Sequence, residues 1–200
     1  MSGRALGVVV LGCWVAHAVD LAIGYPLANL LWSCNVATLL LAIGLAAGRA
    51  RVVAIGTLLL IVGEPFWIFG ILVGDFTLTS PLTHVVAPVL GLVSLRRTGS
   101  PRGIALPALA VVSLATLAAR ALGPASENVN LAHVIPAHAV PESWRAWFSH
   151  GHYMAAVFLG LLAGCVAIEL AMHHGLKARS GAAAGDEGGR DRAEHEGRPA

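Results

Sequence analysis

Six apolar runs, each near the length that crosses a bilayer, dominate this chain and constrain its fold more than any other feature. A hydrocarbon core of about 30 Å takes about 20 residues of α-helix. The runs cover residues 5–23, 27–47, 52–73, 79–95, 104–122 and 149–172, the fourth being the shortest. Helix-breaking sequences separate the first five and follow the last of them: Gly24-Tyr25-Pro26, Gly48-Arg49, Gly74-Asp75, Gly99-Ser100-Pro101 and Gly123-Pro124. The predicted architecture is an all-α, polytopic transmembrane helix bundle of about six spans. Charge agrees, because only 12% of the 200 residues are charged, against about 25% in soluble domains. A net charge of +2 confined to loop ends offers no face for nucleic acid. Cys13, Cys34 and Cys165 are scattered through apolar runs without a C-x-x-C, so neither a disulfide framework nor a zinc knuckle is indicated.

Basic residues set the expected orientation, since cytoplasmic loops are enriched in Lys and Arg. Arg4 precedes the first run, Arg49 and Arg51 join runs two and three, and Arg96, Arg97 and Arg102 join runs four and five. Lys177 and Arg179 follow run six. Six crossings put all of these on one side, with only Arg120 and Arg145 near the other, so both termini are expected to be cytoplasmic. The transmembrane domain is then 1–176. The tail 177–200, rich in Gly, Ala and mixed charge, is expected to be disordered. A rival reading takes Arg4, the following apolar residues and Ala16-His17-Ala18 as a signal peptide with its cleavage site. Apolar residues continue past that site to Ile23.

At 1.5 Å per residue, position along a helix converts to depth. His17 and Glu64 each lie roughly 18 Å from the cytoplasmic edge, and Asn35 lies roughly 12 Å from the outer edge, at the same level. His84 lies nearer the outer surface. Asp20, Asp75, His150 and His152 sit at the outer ends of their runs, and Asn128, Asn130, His133 and His138 fall in the long outer loop. All histidines before position 173 therefore share the outer half with every acidic residue before the tail except Glu169. The expectation is a polar pocket facing the extracytoplasmic side of the cell (inner) membrane.

Glu64-Pro65 is the sharpest element. A carboxylate at mid-membrane costs about 2.5 kcal/mol or more, so it faces the bundle and commonly serves function. Pro65 also leaves the carbonyl of Ile61 without its donor. The alternative is a neutral acid acting as glue between helices. His17 and Asp20, three apart, share a helical face; the acid either fixes the tautomer of a ligand or proton-carrying imidazole or simply joins two helices. Pro88, four residues after His84, frees the His84 carbonyl. His150 and His152 diverge by about 200° on an ideal helix, so one ligand and one rim residue is the expected division. Asn128 and Asn130 either cap a short interfacial helix or bond to other spans. Trp144, Trp147 and Tyr153 suit an aromatic belt, with 141–148 lying flat on the surface.

"GEPFW" at 63–67, "THVVAP" at 83–88 and "ENVNLAH" at 127–133, in this order over six spans, resemble small bacterial six-helix membrane proteins of unknown function. That resemblance, over the middle half of the chain, implies the six-helix layout and no activity. The outer set of His and carboxylate also looks like the membrane zinc amidohydrolases of the alkaline ceramidase type. Those have seven helices and an H-x-x-x-H in the last; here Met154 stands four residues after His150.

Three functions fit these residues. In a metal-dependent membrane hydrolase, His17, His84 and His150 or His152 would hold zinc, with Asp20 or Asp75 as ligand or support. Glu64 would be the general base on a metal-bound water, and the substrate would be lipid-like. In a binding or transfer protein the same groups would hold a haem or a quinone, or carry protons. In a structural subunit they would only tie helices together. No HExxH, GxSxG, Walker or CxxCH motif narrows the choice.

Overall fold

The computed structural model describes residues 2–72, 77–135, 142–145 and 149–196, with side chains at 2–72, 77–135, 143–144 and 149–175. The fold is all-helical, 83% helix, without strands among the described residues. The helices are α1 (Gly3–Gly24), α2 (Ser33–Ala46), α3 (Ala50–Leu72), α4 (Ala87–Thr98), α5 (Ala105–Leu122), α6 (Glu142–Arg145) and α7 (His150–Glu196). Four are long and apolar enough to cross a membrane: α1, α3, α5 and the His150–Gly175 part of α7. Between 6% and 39% of each of those spans is buried. The rest of their surface is apolar, with Ile23, Leu72 and Leu122 more than three-quarters exposed, which is the surface that lipid covers. The tail expected from Lys177 lies beyond the described side chains.

Two of the expected runs take another form. Run 27–47 divides into a 3-10 turn, Leu27–Leu31, and the 14-residue α2, with extended backbone at Trp32 between them. Run 79–95 is helical from Ser80 onward but widens into a π turn over Leu82–Val86 before α4. Pro88 explains the widening: it brings no N–H to the ladder one turn after His84, and the helix re-spaces its bonds, with Ala87 N–H donating to Leu82.

Helices α1 to α4 pack through small residues, as membrane helices do where backbones approach closely. Gly7 of α1 meets the backbone of Ala42 and Ala46 on α2, and Gly56 of α3 meets Ala37 and Leu41. The tightest approach is Gly91 of α4, where a Cβ would stand 2.1 Å from the Thr57 hydroxyl oxygen on α3. Leu41, Leu58, Leu60 and Leu95 are fully buried in this core. The Glu169 carboxylate of α7 caps α5, accepting from Gly103 (2.5 Å), Ile104 (3.0 Å) and Ala105 (2.8 Å) N–H. An anion at a helix N-terminus is favoured by the unpaired donors and the dipole. This accounts for the one acidic residue that the depth argument left inward.

Candidate functional site

Glu64 and Trp67 are three residues apart, so both project from one face of α3. Both meet His84 on the π turn. His84 Nδ1 lies 3.5 Å from Glu64 Oε1, and the imidazole stacks on the Trp67 ring, with centroids 4.9 Å apart and planes 2° from parallel. Trp67 is itself held by its indole N–H, which donates to Ser80 Oγ at 2.7 Å. The E-P-x-W and H-x-x-x-P segments noted in the sequence therefore form one constellation.

The pair is incompletely bonded. His84 Nδ1 and Glu64 Oε1 are both buried and have no hydrogen-bond partner among the described residues, and the same holds for Asn35 Oδ1 and Trp14 Nε1. His84 is 7% exposed, whereas the Glu64 side chain is 25% exposed. Cys34 and His17 stand within electrostatic reach of Glu64 and His84 respectively.

A second cluster lies beside the first, between α1 and the start of the π-turn helix. Asp20 Oδ2 accepts from the Thr79 hydroxyl at 2.6 Å and from the Thr79 N–H at 3.4 Å. His17 Nδ1 lies 2.8 Å from the same Thr79 oxygen. His17 and Asp20 are thus joined through a residue of another helix. No sequence pattern singles out Thr79, and Trp67 was legible only as the residue one turn after Glu64.

The outer-loop asparagines are occupied otherwise. Asn130 bridges to the broken second run, donating to Leu31 O at 2.7 Å and accepting from Ser33 N–H at 2.9 Å. Asn128 Oδ1 accepts from the His133 and Val134 N–H groups, both at 3.0 Å, and its amide donates to Val134 O at 2.9 Å. Asn35 donates to Asn29 O at 3.0 Å, and Asn29 donates to Glu127 at 2.9 Å. Backbone that leaves the helix at membrane depth must be satisfied by protein, and these amides satisfy it. Both asparagines adopt positive φ, 44° at Asn128 and 52° at Asn130, a conformation Asn tolerates better than most residues.

The remaining expected site residues disperse. His150 Nε2 contacts Leu131 O at 3.0 Å, and His152 contacts Ser149 Oγ at 3.1 Å on an exposed turn. His133 Nε2 is buried without a partner. Asp75, His138 and Trp147 lie outside the described residues. Zinc needs three protein ligands around one point. Among the described residues no three of His, Cys, Asp and Glu are so grouped. The expected set of His17, His84 and His150 or His152 is not assembled there.

An apolar groove of about 320 Å³ separates α3 from α7, lined by Ile61, Val62, Pro65 and Phe66 opposite Gly160 and Gly164. At 100° per residue these α3 positions lie on the face away from Glu64 and Trp67, so the groove does not open onto the pair. No protein-family model, curated protein or solved structure matches the chain.

Proposed function

We propose that this is a multi-pass protein of the cell (inner) membrane whose Glu64–His84 pair takes up and releases a proton within the bilayer, from a chamber facing the extracytoplasmic side. The two irregular runs complete six crossings in this reading, with both termini cytoplasmic. The asymmetry of Arg and Lys between alternate loops supports that orientation.

The observation that carries the proposal is the unbonded contact of 3.5 Å between a buried imidazole and a half-buried carboxyl. Helix glue is hydrogen-bonded. A buried polar atom left without a partner costs about 1–3 kcal/mol. A carboxyl and an imidazole held face to face without a bond can instead exchange one proton for a small movement of either side chain. His is the residue suited to such work near neutral pH, and an acid at mid-membrane is placed where proton relays are built. Trp67 limits the movement by holding the ring plane.

The test is infrared spectroscopy of the full-length protein in lipid vesicles, titrated from acid to alkaline pH. A carboxylic C=O band that titrates, and that is missing in Glu64→Gln, is the expected result. Identical difference spectra for the wild type and Glu64→Gln would refute the proposal, as the structural-subunit reading requires.

A further inference from the structure

We infer that the Thr79 hydroxyl is the proton relay connecting the Glu64–His84 pair to the outer end of the bundle, with His17 and Asp20 as its inner and outer terminals; this rests on the proposed proton exchange at that pair. Two hydrogen bonds define the chain. Thr79 Oγ has one proton, and with Asp20 ionised that proton can only be donated to the carboxylate at 2.6 Å. The same oxygen then has lone pairs left, so the contact of 2.8 Å with His17 is an N–H donated by Nδ1. Neutral His17 therefore carries its hydrogen on Nδ1 and keeps Nε2 as the basic nitrogen. His17 lies on α1, which packs against the Leu82–Val86 π turn that carries His84, and it is 5% exposed.

Proton bookkeeping along this chain closes. A proton delivered to His17 Nε2 makes an imidazolium. Nδ1 passes its hydrogen to Thr79 Oγ, the hydroxyl passes its own to Asp20, and protonated Asp20 releases it at the outer end. One proton enters and one leaves, and no charge remains on Thr79. Run backwards, the same bonds carry a proton inward. The titratable groups concerned are Asp20, His17, His84 and Glu64. The competing role for Thr79 is a clamp that docks its helix on α1 through Asp20. Such a clamp affects stability and leaves proton transfer alone.

Hydrogen–deuterium exchange of the Glu64 carboxyl, followed by its infrared band after transfer of reconstituted protein into D₂O, separates the two. Thr79→Val preserves shape and removes the hydroxyl; it is expected to slow exchange by about tenfold or more, a modest share of what positioned proton transfer contributes. Thr79→Ser is expected to restore the wild-type rate. Exchange in Thr79→Val as fast as in the wild type, whatever its thermal stability, overturns the inference while the titrating band still upholds the pair. Slowing that Thr79→Ser does not rescue overturns it also. Absence of any Glu64 band removes the pair and this relay together.

Discussion

Replacing Asn130 by Ala separates a scaffold from a pocket. Asn130 holds the two sides of the break in the second run, Leu31 O and Ser33 N–H, with bonds of 2.7 and 2.9 Å. Ser33 begins α2, so its N–H is among the donors that a helix start leaves unpaired. Asn130→Ala strands both groups in a partly buried position. Taken at the lower half of the usual range, two orphaned groups cost about 2–4 kcal/mol. The backbone at φ 52°, ψ 28° adds roughly 1 kcal/mol for a residue with a Cβ and no local amide. The expected loss is about 3–5 kcal/mol. Asn130→Gly loses the same bonds without the conformational cost and should fall short of that by up to about 1 kcal/mol. Equilibrium unfolding of the full chain in mixed micelles, titrated with SDS, measures both. A loss below about 0.5 kcal/mol for Asn130→Ala, within the range of an ordinary surface substitution, would refute the scaffold argument. Altered proton exchange at Glu64 with stability intact would return Asn130 to the pocket that the sequence suggested.

Glu169→Ala should destabilise the N-terminal end of α5 by about 2–3 kcal/mol, because three N–H groups lose one carboxylate. Amide exchange at 103–105 should rise, and Glu169→Gln should lie between. Gly91→Ala should cost about 1–3 kcal/mol, as overpacking does, because its new methyl meets Thr57 on α3. Thr57→Ala removes the atom at 2.1 Å, so the double variant should be more stable than the sum of its parts; strict additivity in the SDS titration would count against the contact.

Depth arithmetic was enough to find the level of the pair, because a helix converts residue number into height without knowledge of packing. It placed His17, Glu64 and Asn35 at one level with His84 nearer the outer surface, whereas the fold brings Glu64 to His84 and joins His17 to Asp20 through Thr79. What it lacked was azimuth. Asn128 and Asn130 sit on the same side as the pair, but their amides are taken up by loop backbone whose break at Trp32 no hydropathy pattern announced. An apolar run reads as one helix until a tertiary contact satisfies the bonds of a bend. Thr79 was invisible for the opposite reason: a lone Thr at the head of an apolar run is ordinary, and only the approach of α1 gives its hydroxyl two partners. His150 and His152 were expected at the outer end with the others, yet depth alone says nothing about whether two helices present their histidines to one another.

The pair and the tightest packing contact belong to one seam. Thr57 meets Gly91, and Glu64 meets His84. Moving seven residues forward on α3 from the first contact, and seven back on its antiparallel partner, arrives at the second. The two contacts are therefore about 10 Å apart along the same interface. Gly91 lets the Thr57 side chain of α3 seat directly against the backbone of α4. At the other end the π turn opposite Glu64 and Trp67 makes room for an imidazole. An interface pinned tightly at one end and widened at the other sets the separation of the carboxyl and imidazole through helix spacing, without a hydrogen bond between them. It follows that Gly91→Ala, one helical seam away from any titratable group, should shift the Glu64 carboxyl band as well as weaken the fold, and that Thr57→Ala should restore both. A Gly91→Ala protein that unfolds more easily but keeps an unaltered Glu64 band would show that the pair is positioned by its local stack on Trp67 alone.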